Sequence, residues 1–117
     1  MKYPTTYATP DGESHFGEAE MAESPTMDAQ TPLTGVKGVF VRRTAANWSV
    51  DRHTAPRRQL VIPLQGTMEI QTSDGQVRQF GPGAMFLAGD TSGRGHTTRS
   101  VGSEERVTLF VVLEDEA

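Results

Sequence analysis

From residue 39 to residue 113 the chain is a series of short β-type runs, each closed by a turn signal. The runs are VFVRR (39–43), QLVIPL (59–64), TMEIQT (67–72), QVRQF (76–80), AMFLA (84–88) and RVTLFVVL (106–113). Val, Ile, Phe and Thr recur in them at alternating positions, the period of a strand with one face buried. The breaks fall at QG (65–66), SDG (73–75), GPG (81–83), GDTSGRG (89–95) and VGSEE (101–105). SDG between two such runs predicts a tight hairpin, because Gly75 can adopt positive φ. No stretch repeats apolar residues at i, i+3, i+4 and i+7 over three turns, so almost no helix is expected. Short strands spaced about ten residues apart predict an all-β sandwich or barrel.

Residues 1–38 differ in character, being rich in Pro, Thr, Gly and Glu with scattered apolar positions. HFGEAEM (15–21) reads as an early strand with His15, Gly17, Ala19 and Met21 on one face. ESPTMDAQTPL (23–33) reads as an extended, proline-broken loop. The expected division is therefore an N-terminal extended segment, 1–38, lying along the barrel or a partner subunit, and a barrel over 39–117. At 117 residues there is material for one core and no second domain.

Charge and composition remove several classes of function. The net charge is −4, which argues against a nucleic-acid binder needing a basic face. The absence of cysteine excludes disulfides, thiolate metal sites and a cysteine nucleophile. No apolar run approaches the ~20 residues of a membrane-spanning helix. MKYPTTYATPDGE has one Lys and no apolar core, so it does not read as a signal peptide, and a soluble cytoplasmic protein is the expectation. G-x-S-x-G, P-loop and G-x-G-x-x-G patterns are missing.

The chemistry concentrates in HTAPRRQLVIPLQG (53–66) and GDTSGRGH (89–96). Taken as one strand with period two, the first places His53, Ala55, Arg57, Gln59 and Val61 on one face, with Pro56 able to disturb the alternation. Polar groups on the inner face of a barrel must be hydrogen-bonded, ligated or used. His96 follows glycines 89, 93 and 95, which let the chain turn tightly into the next strand. An inward Arg57 would suit a carboxylate. Trp48 reads as core or rim packing, with a substrate platform as its other reading, and Asp90 as a turn residue, with orientation of a histidine or action as a base as its others.

These stretches resemble the motifs of small single-domain cupins, of the RmlC-like superfamily, whose first motif is G-x5-H-x-H-x3–4-E-x6-G. His53 stands at the first His, Ala55 at the second, Gln59 at the Glu, and Gly66 closes the motif; Asn47 stands at the opening Gly. The second motif begins as GPGAMF (81–86), then departs: Gly89 falls at the Pro, Arg94 at the ligand His, and His96 two residues later. DGESHF (11–16), HTAPRRQ and DTSGRGH also resemble a group of uncharacterised bacterial cupins.

The resemblance implies a small double-stranded β-helix, or jelly roll, with a pocket lined by His53, His96 and Gln59. It implies a homodimer and a small-molecule ligand or substrate, with no nucleic acid or membrane partner. Cupins with a complete motif hold Fe, Mn, Ni or Zn through three His and one Glu. Here the candidate ligands are His53, Gln59 and His96, with His15 a further nitrogen if the N-terminal strand crosses the barrel. Three functions follow. One is a metal-dependent enzyme acting on a small organic acid or carbonyl compound, with His53, His96 and Arg57 as its catalytic residues. Another is a metal-free pocket in which a histidine, or a histidine with Asp90, shuttles a proton. A third is a binder without turnover.

Overall fold

The computed structural model describes residues 2–20, 31–33 and 35–114. Among these residues the chain forms β1 (Lys2–Ala8), β2 (Ser14–Glu20), β3 (Val36–Thr44), β4 (Ser49–His53), β5 (Gln59–Gln65), β6 (Thr67–Thr72), β7 (Val77–Phe80), β8 (Phe86–Ala88), β9 (His96–Val101) and β10 (Arg106–Leu113), with no helix. Two sheets result, one in the order β2-β1-β8-β5-β10-β3 and one in the order β4-β9-β6-β7. The loop read over 23–33 falls largely outside the described residues.

The alternation read from the sequence becomes the division between the two faces of the larger sheet. Val61, Phe86 and Phe110 face the smaller sheet and pack with Met68, Ile70, Phe80, Phe16 and Ala88. Their strand neighbours Leu60, Leu87 and Val111 have the opposite parity and form a second cluster with Tyr3 and Leu113. The SDG turn forms as its glycine requires. Gly75 has φ +92° and its amide donates to the Thr72 carbonyl at 2.9 Å. Asp74 in the same turn is pushed up by burial, but bonds from Thr72, the Gln76 amide and His15 outweigh this and hold its carboxyl below the usual range.

The early strand read over 15–21 is present as β2, and two further features were not read from the sequence. Residues 2–20 form an antiparallel hairpin whose first strand pairs in parallel with β8, Thr5 opposite Leu87 and Thr6 opposite Ala88. The N-terminus is thus part of the larger sheet. HTAPRRQLVIPLQG, in turn, is not one strand. It ends β4 at His53, crosses between the sheets over 54–58, and starts β5 at Gln59. Pro56, with no N–H to give a ladder, lies in that crossing. His53 and Gln59 therefore belong to opposite sheets and face each other across the interior, rather than lying along one strand.

Candidate functional site

Between the sheets lies a cavity of about 360 Å³. Its apolar floor is Val61, Met68, Ile70, Phe86 and Phe110, and its polar lining includes His53, Gln59, His96, Arg42, Arg106 and Thr108.

At one end the two histidines meet. Register places His53 of β4 opposite His96 of β9, with ring centroids 4.6 Å apart. Gly95 makes this approach possible: a Cβ there would lie 2.0 Å from the His53 carbonyl oxygen. His96 is 5 % exposed, and its Nδ1 meets Asp90 Oδ2 at 2.5 Å. The Asp90 carboxylate is fully buried, and its Oδ1 accepts from the Thr6 hydroxyl at 2.8 Å. Thr6 is held by β1–β8 pairing and by the Gly89 amide, which donates to its carbonyl at 2.9 Å. A carboxylate so fixed makes Nδ1 of His96 the protonated nitrogen and leaves Nε2 with the lone pair. His53 Nδ1 lies 3.0 Å from the Asp51 carbonyl, which can only accept, so the same tautomer follows. Asp90 is thus the orienting group of His96, and the turn role favoured by sequence is not its main one. Thr6 carried no signal in the sequence, because its partner is 84 residues away.

Gln59 is 6 % exposed, and its Oε1 is buried without a hydrogen-bond partner among the described residues. Arg57 lies elsewhere. It is exposed, sits over the Phe40 ring at 5.5 Å, and does not line the cavity. His15 also stands apart, its Nδ1 2.9 Å from Asp74 and its Nε2 3.0 Å from the Thr9 hydroxyl. The structure therefore brings His53, His96 and Gln59 together and leaves Arg57 and His15 outside.

The donor set bears on a metal. Both imidazoles present the nitrogen that a ligand would use, as a general base also would. The third donor is a neutral amide oxygen, and Asp90 is committed to His96. Among the described residues no three His, Cys, Asp or Glu side chains converge. Two imidazoles and one amide do not fit the mixed imidazole–carboxylate sphere that holds a first-row divalent ion.

Away from the histidines, Trp48 meets two arginines, with Arg42 5.4 Å and Arg106 5.5 Å from its ring. Sequence reading singled out none of the three as a pocket residue except Trp48, and that as the lesser of two readings. Arg42 is separated in sequence from Arg106 by 64 positions and meets it only through β3–β10 pairing.

No protein-family model matches the chain. Phosphoglucosamine mutase from Bordetella pertussis is 33% identical over 75 residues, 63% of this chain, and the chain spans 16% of the length of that relative. Solved structures are similar over more of the chain. A conserved protein of unknown function from Streptococcus pyogenes has a TM-score of 0.54 at 23% identity, covering 75% of this chain and 72% of that one. A cupin domain from Bordetella pertussis has a TM-score of 0.51 at 17% identity, covering 68% of this chain and 90% of that one. The cupin domain of Cnp3 from Schizosaccharomyces pombe has a TM-score of 0.51 at 12% identity, covering 86% and 73%. Two facing β-sheets around a polar-lined cavity, superposing on these domains, give the chain the cupin fold.

Proposed function

We propose that this cupin-fold protein binds a small organic acid or carbonyl compound in its cavity and moves a proton on it through His96, without a metal. The observation that carries this reading is the buried Asp90–His96 pair in the cavity wall, 2.5 Å apart and steadied by Thr6. In such a pair the imidazole takes a proton at Nε2, and the carboxylate at Nδ1 stabilises the imidazolium that forms. His53, 4.6 Å away, is the second proton carrier, placed to return a proton to the ligand. The apolar floor excludes water from the reacting carbon and strengthens both interactions.

The test is exchange of ligand C–H for deuterium. Small carboxylic acids with an acidic C–H beside a carbonyl are incubated with the protein in D₂O and followed by NMR. Wild type is expected to catalyse exchange of at least one acid, and His96→Ala to slow it by about 10²–10⁴-fold. Binding without exchange for every acid bound would overturn proton transfer and leave a binding protein. The metal-dependent alternative uses the same imidazoles with Gln59. Near-stoichiometric Fe, Mn, Ni or Zn in wild type, lost in His53→Ala, would put that reading in place of this one.

We also propose a homodimer through β3, an edge strand of the larger sheet whose outward residues Val39 and Val41 are 59% and 58% exposed. A strand edge unpaired among the described residues, beside exposed valines, is a surface that a second copy can extend or cover. Light scattering after gel filtration is expected to give twice the 12.7 kDa chain mass, falling to one chain in Val41→Lys. A monomer in wild type at micromolar concentration would remove the dimer.

A further inference from the structure

Among the described residues, three arginines differ from the two that line the cavity. Arg43, Arg94 and Arg99 each hold a carboxylate, those of Glu105, Glu13 and Glu69. Arg42 and Arg106, which line the cavity, have no carboxylate partner among the described residues. Arg106 is the unusual one, because it is 4% exposed and its one hydrogen bond there is Nε to the Ser100 hydroxyl at 2.8 Å. That bond fixes the plane of the guanidinium and leaves the two terminal nitrogens uncommitted. A buried cation without a counterion is costly. Burial, and after it the neighbouring Arg42 charge, holds the Arg106 guanidinium below the ordinary arginine range. Thr108, one inward position along β10, is 1% exposed, and its hydroxyl is buried without a partner among the described residues.

These groups share one wall. Arg42 and Arg106 both lie against the Trp48 ring, so two cations and an aromatic face meet at the cavity lining. The histidine end lies some way off: His96 and Ser100, the Arg106 partner, are four residues apart on β9, about 13 Å of strand. Between them the lining is mostly apolar, through Val50, Met68, Ile70 and Phe110, with Thr98 of β9 the polar exception.

We propose that Arg106, assisted by Arg42 and the Thr108 hydroxyl, is the carboxylate-binding site of the cavity, and that the ligand is an elongated organic acid with an apolar or aromatic middle. The carboxylate takes the terminal nitrogens of Arg106 as a bidentate pair, with Arg42, exposed at the rim, closing over it. The middle of the ligand lies on Trp48 and the apolar floor, and its far end reaches the histidines. This deepens the reading above by naming the substrate class; it rests on the cavity as the ligand site, not on proton transfer.

The chain has a single tryptophan, Trp48, so its fluorescence reports on this wall alone. The probes are 3-phenylpropanoate and its neutral amide, 3-phenylpropanamide, titrated against the full chain. The acid is expected to shift Trp48 emission and to bind about tenfold or more tightly than the amide, with affinity falling as salt rises. In Arg106→Met this preference should vanish. Arg42→Gln, at an exposed position where folding is not in question, should reduce it several-fold. Equal binding of acid and amide to wild type would overturn the proposal. So would absence of binding by either probe, or an acid preference undiminished in both variants. An acid preference without deuterium exchange would support this site while removing the proton-transfer reading.

Discussion

Replacing Asp90 by asparagine is expected to slow turnover by about 10²–10⁴-fold while leaving ligand affinity nearly unchanged. The fully buried Asp90 is a positioning residue: it touches His96 and Thr6 and does not line the cavity. Its loss should therefore appear in kcat and hardly in KM. Asparagine keeps the shape but removes the charge that stabilises an imidazolium on His96. With either amide orientation the neutral side chain cannot do this, so the expectation does not depend on which way it settles. The variant should also lose about 1–1.5 kcal/mol of stability, since a hydrogen bond to a charged acceptor becomes an ordinary one. The measurement pairs the deuterium-exchange rate with ¹⁵N NMR of the histidines, which reads the protonated nitrogen directly. In wild type His96 should carry its proton on Nδ1, and in the variant that preference should weaken. An exchange rate within a few-fold of wild type would mean that Asp90 only fills space.

Gly95→Ala should be the most destabilising small substitution in the region, at upward of about 4 kcal/mol. Two costs combine. Gly95 has φ +74°, where a Cβ costs about 1–2 kcal/mol by itself. That Cβ would also lie 2.0 Å from the His53 carbonyl oxygen and 2.3 Å from its carbon, and these are backbone atoms that cannot swing aside. Moving them separates β4 from the start of β9 and with it His53 from His96. The 93–95 turn has no slack to offer, because the Arg94 amide donates to the Gly12 carbonyl at 2.7 Å and Ser14 Oγ to the Gly95 carbonyl at 2.5 Å. Gly75→Ala is the matched control. Its φ is +92°, yet nothing lies within 4 Å of the added carbon, so only the conformational cost of about 1–2 kcal/mol applies. Urea unfolding of the two variants beside wild type decides the matter. Equal losses would show that the contact with His53 relaxes freely and that a glycine is needed at 95 for its φ alone.

The strands that carry an unbroken alternation were readable without the structure. TMEIQT and RVTLFVVL are β6 and β10 to the residue, and QLVIPL is β5 lacking only Gln65. Alternation depends on neighbours two positions apart, which a linear reading sees. β1, with the sequence KYPTTYA, was not seen as a strand, and β9, with HTTRSV, only as the strand that His96 leads into, because both are polar and contain few apolar residues to mark a buried face. Their pairing partners decide their conformation, and apart from β2, the hairpin partner of β1, those partners are distant in sequence.

The site divides in the same way. That His53, Gln59 and His96 would line one pocket could be expected from the cupin-like motif. That Arg57 would join them depended on one continuous strand through Pro56, and the crossing between the sheets removed it. The sequence by itself determined an all-β chain, its main turns, the parity of its core strands and the histidines that mark a pocket. Only the tertiary structure decided which polar groups meet in that pocket. Thr6, Asp90 and His96 come together through the parallel β1–β8 contact, and Arg42 and Arg106 through antiparallel β3–β10 pairing. Local periodicity records which face a residue takes. It does not record which distant strand shares that face, because sheet pairing is set by the register and burial of segments tens of residues apart.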